Sequence, residues 1–360
     1  MEISQFIAPE PLASLAPSPS PTGWTRRDLL RTAGWTCLAG SLGATGWLQG
    51  AQATGSSALP LSVRFKGQQR FEDILVKARR EGWRQLPIGE RVMRFAKQLH
   101  GTPYVSYTLE IDDHIEAPSA NLDALDCWSF FEISLNLARM IAVEREKYEP
   151  DQLLKEIQFT RYRGGVCTGN YLQRLHYLEE WFFDNQARGV VNNITKDLGG
   201  AIPIHGRKCQ EMTILWKSYR YLAHNPELRP RMGELEAKIS QLPVYYLPEK
   251  RVAKIENKLQ NGDILGIVTK DNGAFCSHVG LACRTEDGVL RLMHASSQRD
   301  YRRVVIDKPI SAYLDKFGSA IGIIVGRPRE TSQTVRDAEL YRKTLTALVG
   351  PNALITNMNP

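Results

Sequence analysis

Leu125-Asp126-Cys127-Trp128-Ser129-Phe130-Phe131 places a thiol at the predicted start of a helix. Asp126 is a favoured N-cap residue, so Cys127 falls in the first helical turn. Phe130, Phe131, Ser134, Leu137, Ala138 and Ile141 then recur at helical spacing, which predicts a helix with a buried face. A first turn carries unpaired backbone N–H groups and the positive end of the helix dipole. Both favour thiolate over thiol, and thiolate is the nucleophile. Taken alone, the residue is also compatible with a small side chain in a core.

Two histidines downstream strengthen the nucleophile reading. In Ser277-His278-Val279-Gly280-Leu281-Ala282, strand alternation sets Val279 and Leu281 on one face and His278 and Gly280 on the other. The turn-forming Glu286-Asp287-Gly288 follows, and Leu290-Arg291-Leu292-Met293-His294-Ala295 predicts a second strand. A hairpin of these strands brings the imidazoles side by side. His278 then takes a proton from Cys127 while His294 holds its ring and tautomer, the nucleophile–base–orienter arrangement. Cys276 falls on the His278 face by strict alternation, but it lacks a helix N-terminus and is read as a bystander.

Outward from these motifs, residues 54–70 read as a polar linker. Phe71 to His100 has helical periodicity, interrupted at Pro87, and Gly101-Thr102-Pro103 ends it. Tyr104–Glu110 predicts a strand or extended segment. Residues 150–240 combine a turn at Arg163-Gly164-Gly165 with helical patterns over Tyr171–Asn185 and Met212–Ala223. Strands are predicted at Asp263–Thr269, Ser277–Arg284, Leu290–His294, Arg303–Ile306 and Ile321–Val325. Helices first and strands later, without an internal repeat, suit one α+β domain over 71–328, followed by a C-terminal tail over 329–360.

Composition narrows the class. Of 360 residues, 42% are hydrophobic and 24% charged, which argues against a disordered chain. No uncharged apolar run of about 18 residues follows residue 55, which argues against a membrane bundle. The net charge of +7 is spread along the chain, so it reads as a solvated surface, with no nucleic-acid partner.

The first 53 residues read as an address. Thr25-Arg26-Arg27-Asp28-Leu29-Leu30-Arg31 is a twin-arginine pattern, Thr32 to Leu48 is mildly apolar, and Ala51-Gln52-Ala53 offers small-x-small cleavage. This predicts a signal peptide, the twin-arginine export machinery as a partner and a periplasmic or extracytoplasmic location. The six cysteines are Cys37, Cys127, Cys167, Cys209, Cys276 and Cys283. Loss of Cys37 leaves an odd number, hence at least one free or intermolecularly paired thiol. No CxxC occurs and no Cys/His spacing fits structural zinc, so neither metal nor cofactor is expected.

Gly101-Thr102-Pro103-Tyr104, Leu125-Asp126-Cys127-Trp128-Ser129-Phe130, Ser277-His278-Val279-Gly280-Leu281 and His294-Ala295-Ser296 together resemble the NlpC-type, papain-like bacterial cell-wall hydrolases. Within that group the chain is most similar to the N-acetylmuramoyl-L-alanine amidase-like family, whose middle segment is matched by Tyr162-Arg163-Gly164-Gly165, Tyr171–Tyr177 and Trp181. The resemblance covers about residues 71–327. It implies a papain-like α+β fold with the nucleophile on a helix N-terminus packed on an antiparallel sheet that carries the histidines. It also implies Cys127 as nucleophile, His278 as base, His294 as orienter and Tyr104 near the oxyanion. The substrate it implies is peptidoglycan or a muropeptide, cut between N-acetylmuramic acid and L-alanine by a monomer.

The chain departs from simpler relatives in a loop from Asp112 to Asn121 and in the long segment at about 150–250, read as inserted walls of a cleft. Arg163, Arg174 and His176 are candidates for stem-peptide carboxylates and Trp181 for stacking on a sugar; salt bridges and core packing explain them as well. Three other activities fit the sequence: a stem-peptide endopeptidase cutting after D-Glu, a lipid acyltransferase and a non-catalytic wall-binding module.

Overall fold

The alternation at the end of the chain folds into a sheet, and the periodic segments before it fold into helices that cover the sheet. The computed structural model describes residues 59–270 and 273–351. The twin-arginine pattern, Cys37 and the Ala53 cleavage site lie outside them. The main helices are α1 (Gln68–Arg80), α2 (Ile88–Gln98), α3 (Cys127–Met140), α4 (Pro150–Arg161), α5 (Leu178–Ala187), α6 (Arg229–Ile239), α7 (Ile310–Lys316) and α8 (Ala338–Val349). The sheet strands are β1 (Val191–Asn193), β2 (Ile202–Pro203), β3 (Tyr245–Pro248), β4 (Ile264–Thr269), β5 (Cys276–Arg284), β6 (Leu290–Ser296), β7 (Arg303–Pro309) and β8 (Ala320–Pro328). Their order is β2-β3-β8-β4-β5-β6-β7, with β1 also paired to β8. Every pairing in it is antiparallel.

The two sheet faces build two cores. Val279, Leu281, Cys283 and Met293 join Phe130, Phe131 and Leu137 of α3 in the larger one. Leu265, Ile267, Ala282 and Leu292 join Ile310, Tyr313 and Leu314 of α7 in the smaller. Helix α3 is buried from Ser129 to Met140 on all sides, more than the single face its periodicity predicts. A helix apolar or paired all round belongs at the centre of a fold. Each fully buried Phe or Leu there contributes about 1.5–3 kcal/mol.

Several boundaries differ from the sequence reading. The linker expected over 54–70 already contains a helical turn at Leu61–Arg64, a strand at Phe65–Lys66 paired with Ala120–Asn121, and the start of α1. Tyr104–Glu110 is no strand: Tyr104 makes one isolated bridge to Leu125, and Tyr107 sits at φ 59°, where an extended chain cannot continue. The helix expected over Tyr171–Asn185 starts only at Leu178. Before it, the chain turns at Tyr171–Gln173 and runs extended, so that Leu175 N donates to Arg161 O at 2.8 Å. Met212–Ala223 breaks into short turns.

The segment read as a cleft-forming insertion begins as core. Leu153, Leu154 and Ile157 of α4 are buried, and Arg161 pairs with Glu132 of α3 at 2.6 Å, both out of solvent. The C-terminal tail is likewise structural through α8. Its Leu345 and Val349 are buried, and Tyr341 donates its hydroxyl proton to the buried Asp184 Oδ2 at 2.6 Å.

Candidate active site

Helix α3 begins with a capping box. Asp126 Oδ1 accepts from Ser129 N at 2.7 Å, and Ser129 Oγ accepts from Asp126 N at 3.0 Å. These bonds satisfy donors that a helix start otherwise leaves orphaned. The other oxygen, Asp126 Oδ2, accepts from Thr108 N at 3.0 Å and Thr108 Oγ1 at 2.9 Å. One carboxylate thus starts the helix and ties down the loop carrying Tyr104.

Cys127 follows the cap, half-buried. Backbone N–H groups of Val279 and Trp128 hydrogen-bond its sulfur and draw the thiol toward ionisation, but burial and the Asp126 carboxylate outweigh them. The thiol is raised to about 12. This corrects the expectation from the helix dipole: the residue that caps the helix also sets a negative charge beside the sulfur. At rest Cys127 is a thiol.

Strands β5 and β6 pair from Arg284↔Leu290 to Leu281↔Met293, and no pairing continues beyond. There the two imidazoles meet: His278 Nε2 lies 2.7 Å from His294 Nδ1, with ring planes at 84°. Gly280 makes this possible, since a Cβ on it would lie 3.0 Å from His294 Cβ. Tyr313 of α7 packs against both rings. Burial first, then the neighbouring His294 imidazole, holds the His278 imidazole well below its usual range, so it is neutral at rest. His294 is 1% exposed, and its Nε2 lies 3.4 Å from Asp307 Oδ2 on β7.

Asp307 was absent from the sequence-derived set. The predicted strand stopped at Ile306, whereas β7 runs to Pro309. Its place follows from the register: His294 pairs with Val305, and the residue two further along β7 returns to the same face. Tyr104 is brought close enough for the Cys127 sulfur, after burial, to push its hydroxyl up, so it keeps its proton and can donate. A cleft is lined by Gln298, Asp307, Lys308, Tyr313, Lys316 and Phe317, of which Asp307 and Tyr313 also contact the imidazoles.

A sequence model of the N-acetylmuramoyl-L-alanine amidase-like family matches residues 94–321, which include Tyr104, Cys127, His278, His294 and Asp307. The chain belongs to this family. It is similar to the crystal structure of an N-acetylmuramoyl-L-alanine amidase from Bacteroides uniformis, at 28% identity and a TM-score of 0.60, over 68% of this chain and 99% of that one. A Bacteroides fragilis protein named as a candidate xylanase is 29% identical with a TM-score of 0.56, over 64% and 98%. Legionella pneumophila protein LPG0564 shares the fold at 21% identity and a TM-score of 0.54, over 73% and 96%. No curated protein matches the chain.

In this member of the amidase-like family the other sequence candidates stand apart from the imidazoles. Arg163 donates to the buried Glu180 Oε1 at 2.5 Å and to Leu172 O. Arg174 pairs with Glu110 and Glu116 and lies over the Tyr171 ring. His176 Nε2 contacts Tyr171 O at 2.9 Å, and burial with Arg174 and Arg163 holds its pKa well below the usual range. Trp181 is fully buried, edge-on to Phe131. These four shape the core and brace the loop at 110–116; the expectation that they face substrate is corrected. Buried guanidinium groups need carboxylate partners, and these have found them.

Cys276 is corrected in another way. His278 pairs with Ile267 but Cys276 pairs with Val268, so Ser277 is an extra residue in β5. That bulge turns Cys276 to the opposite face, where its sulfur sits against Gly266 and near Glu179. Among the described residues no group of three or more His, Cys, Asp or Glu gathers as a metal site would require, and no helix is long and apolar enough to cross a membrane.

Proposed function

We propose that the chain is an exported cysteine amidase of papain-like arrangement that hydrolyses the amide between N-acetylmuramic acid and L-alanine in peptidoglycan or its fragments. The observations that support this reading are Cys127 at a capped helix start, the N–H of Val279, next to His278, on its sulfur, and the contact of His278 with His294 where the pairing of β5 and β6 ends.

The resting thiol and neutral imidazole define the first step. His278 removes the thiol proton as the sulfur attacks the lactyl carbonyl, forming the S–C bond. Backbone N–H groups beside Cys127, with the Tyr104 hydroxyl, receive the developing oxyanion. The C–N bond then breaks, and His278 gives its proton to the departing L-alanine amine. Water, deprotonated by the same imidazole, hydrolyses the thioester and restores the thiol. With Arg163 and Arg174 committed to buried carboxylates and Lys308 paired with Asp307, Lys316 is the cation lining the cleft that is offered to a charged stem.

Mass spectrometry of defined muropeptides tests the bond. Free sugar bearing its lactyl acid, together with a peptide beginning at L-Ala, is the expected outcome. Products split after D-Glu, with L-Ala still on the sugar, overturn the amidase assignment in favour of a stem-peptide endopeptidase.

Export by the twin-arginine route to an extracytoplasmic compartment completes the proposal, on the strength of Arg26-Arg27 and the Ala51-Gln52-Ala53 box. Replacing both arginines with Lys is expected to leave uncleaved precursor inside the cell. Normal export of that double variant, starting near Thr54, overturns the route.

A further inference from the structure

We infer that Asp307 is a positioning residue of this site, fixing through His294 the tautomer of His278. The inference rests on the reading of Cys127 and His278 as nucleophile and base, and adds a fourth group that acts through the third.

One line of atoms links the three groups. Asp307 Oδ2 lies 3.4 Å from His294 Nε2, and His294 Nδ1 lies 2.7 Å from His278 Nε2. The carboxylate is itself held: its Oδ1 accepts from Lys308 N at 2.8 Å, Lys308 Nζ at 3.2 Å and the Tyr301 hydroxyl at 3.5 Å. The bond from His294, the neighbouring backbone N–H and the Lys308 ammonium hold Asp307 far on the ionised side. An ionised carboxylate only accepts, so His294 Nε2 must carry the hydrogen. With its one hydrogen there, the ring offers a bare Nδ1. The 2.7 Å contact requires one hydrogen, which has to sit on His278 Nε2. His278 is left with its lone pair on Nδ1, the atom free to receive the Cys127 proton.

Without the carboxylate, both imidazoles could turn their hydrogens the other way along the same line. His278 Nδ1 would then carry a proton and could not act as base. Asp307 also faces the pair at the moment it becomes positive. The proton gained from Cys127 is delocalised over two rings whose far end touches a buried anion, and a charge-assisted contact strengthens there. Asp307 touches no reacting atom, so its contribution is orientation and electrostatics.

The test uses the full chain with nitrogen-15-labelled histidine. In the parent at neutral pH, the nitrogen shifts are expected to show hydrogen on Nε2 and none on Nδ1 for both His278 and His294. Asp307→Asn, which can donate where Asp accepts, is expected to shift this pattern toward Nδ1–H. It should also lower kcat about 100-fold or more with KM within about threefold of the parent. A fall in kcat without a tautomer change, a tautomer change without a fall, or neither, overturns the role. If Asp307→Asn does not fold, the parent spectrum decides alone: hydrogen on His294 Nδ1 overturns it. The spectra need no substrate, so a wrong choice of scissile bond is told apart from a wrong role for Asp307.

Discussion

Gly280 and His294 lie on neighbouring strands with no room for a side chain between them. A Cβ on Gly280 would lie 3.0 Å from His294 Cβ and 2.8 Å from the Met293 carbonyl oxygen. The missing side chain is the gap through which His294 reaches His278. Gly280→Ala is therefore expected to cost about 1–3 kcal/mol of stability through overpacking, and to lower kcat in the fraction that remains folded. Thermal unfolding and steady-state kinetics separate the two effects. An unchanged kcat at lowered Tm would show that the imidazole pair tolerates the displacement.

The neutral resting pair gives a particular pH signature. Burial raises the Cys127 thiol to about 12 and holds the His278 imidazole well below its usual range, which favours the neutral thiol and imidazole in the free protein. Iodoacetamide modification of Cys127 is expected to be slow at pH 7 and to climb steadily into the alkaline range. A rate plateau between about pH 6 and 8 contradicts this, since a preformed ion pair gives one. The kcat/KM profile should have its acid limb below pH 6.5, where His278 gains its proton. Cys127→Ala should abolish turnover, while Cys276→Ala, on the far side of the Ser277 bulge, should leave most of it.

What was legible in the sequence followed from local rules. The Asp126 cap, the turn before Leu290 and the alternation through His278 and Gly280 each involve neighbours in the chain, and each is found as read. What escaped depended on partners far away. Arg163 and Arg174 look like ligand-binding cations until Glu180, Glu110 and Glu116 are found against them. Strict alternation misplaced Cys276 because a bulge is a property of two strands, not one. The thiol's ionisation was misjudged because the helix dipole can be read from the sequence, whereas burial of the sulfur cannot.

The C-terminal segment supplies a stability test remote from the imidazoles. Tyr341 of α8 donates to Asp184 Oδ2 on α5, and that carboxylate is almost out of solvent. Tyr341→Phe keeps the ring packing and removes only the donor. The expected loss is about 1–3 kcal/mol, the cost of leaving a buried acceptor short of its partner. Denaturant midpoints measure it, with kcat of the folded enzyme unchanged. A shift within error would mean that Gly164 N, at 3.3 Å from the same oxygen, suffices.

Buried titratable groups set opposing pH dependences of stability. His176 and His278 are held neutral in the fold, their pKa values depressed chiefly by burial. Below about 6.5 the unfolded chain binds protons that the fold refuses, so stability is lost as pH falls. Glu179 acts in the opposite sense. Its carboxyl is buried, the Cys209 thiol donates to Oε1 at 3.6 Å, Oε2 has no partner, and burial raises its pKa to about 7. Between the unfolded value of 4.5 and about 7 the folded state binds the extra proton, so this contribution weakens as pH rises. Glu179→Gln imitates the protonated carboxyl at every pH. It is expected to match the parent near pH 4.5 and to be more stable above pH 7 by about 3 kcal/mol. Unfolding midpoints of both proteins at pH 5 and pH 8 decide the matter: a difference that fails to grow with pH would mean Glu179 ionises in the fold without hindrance.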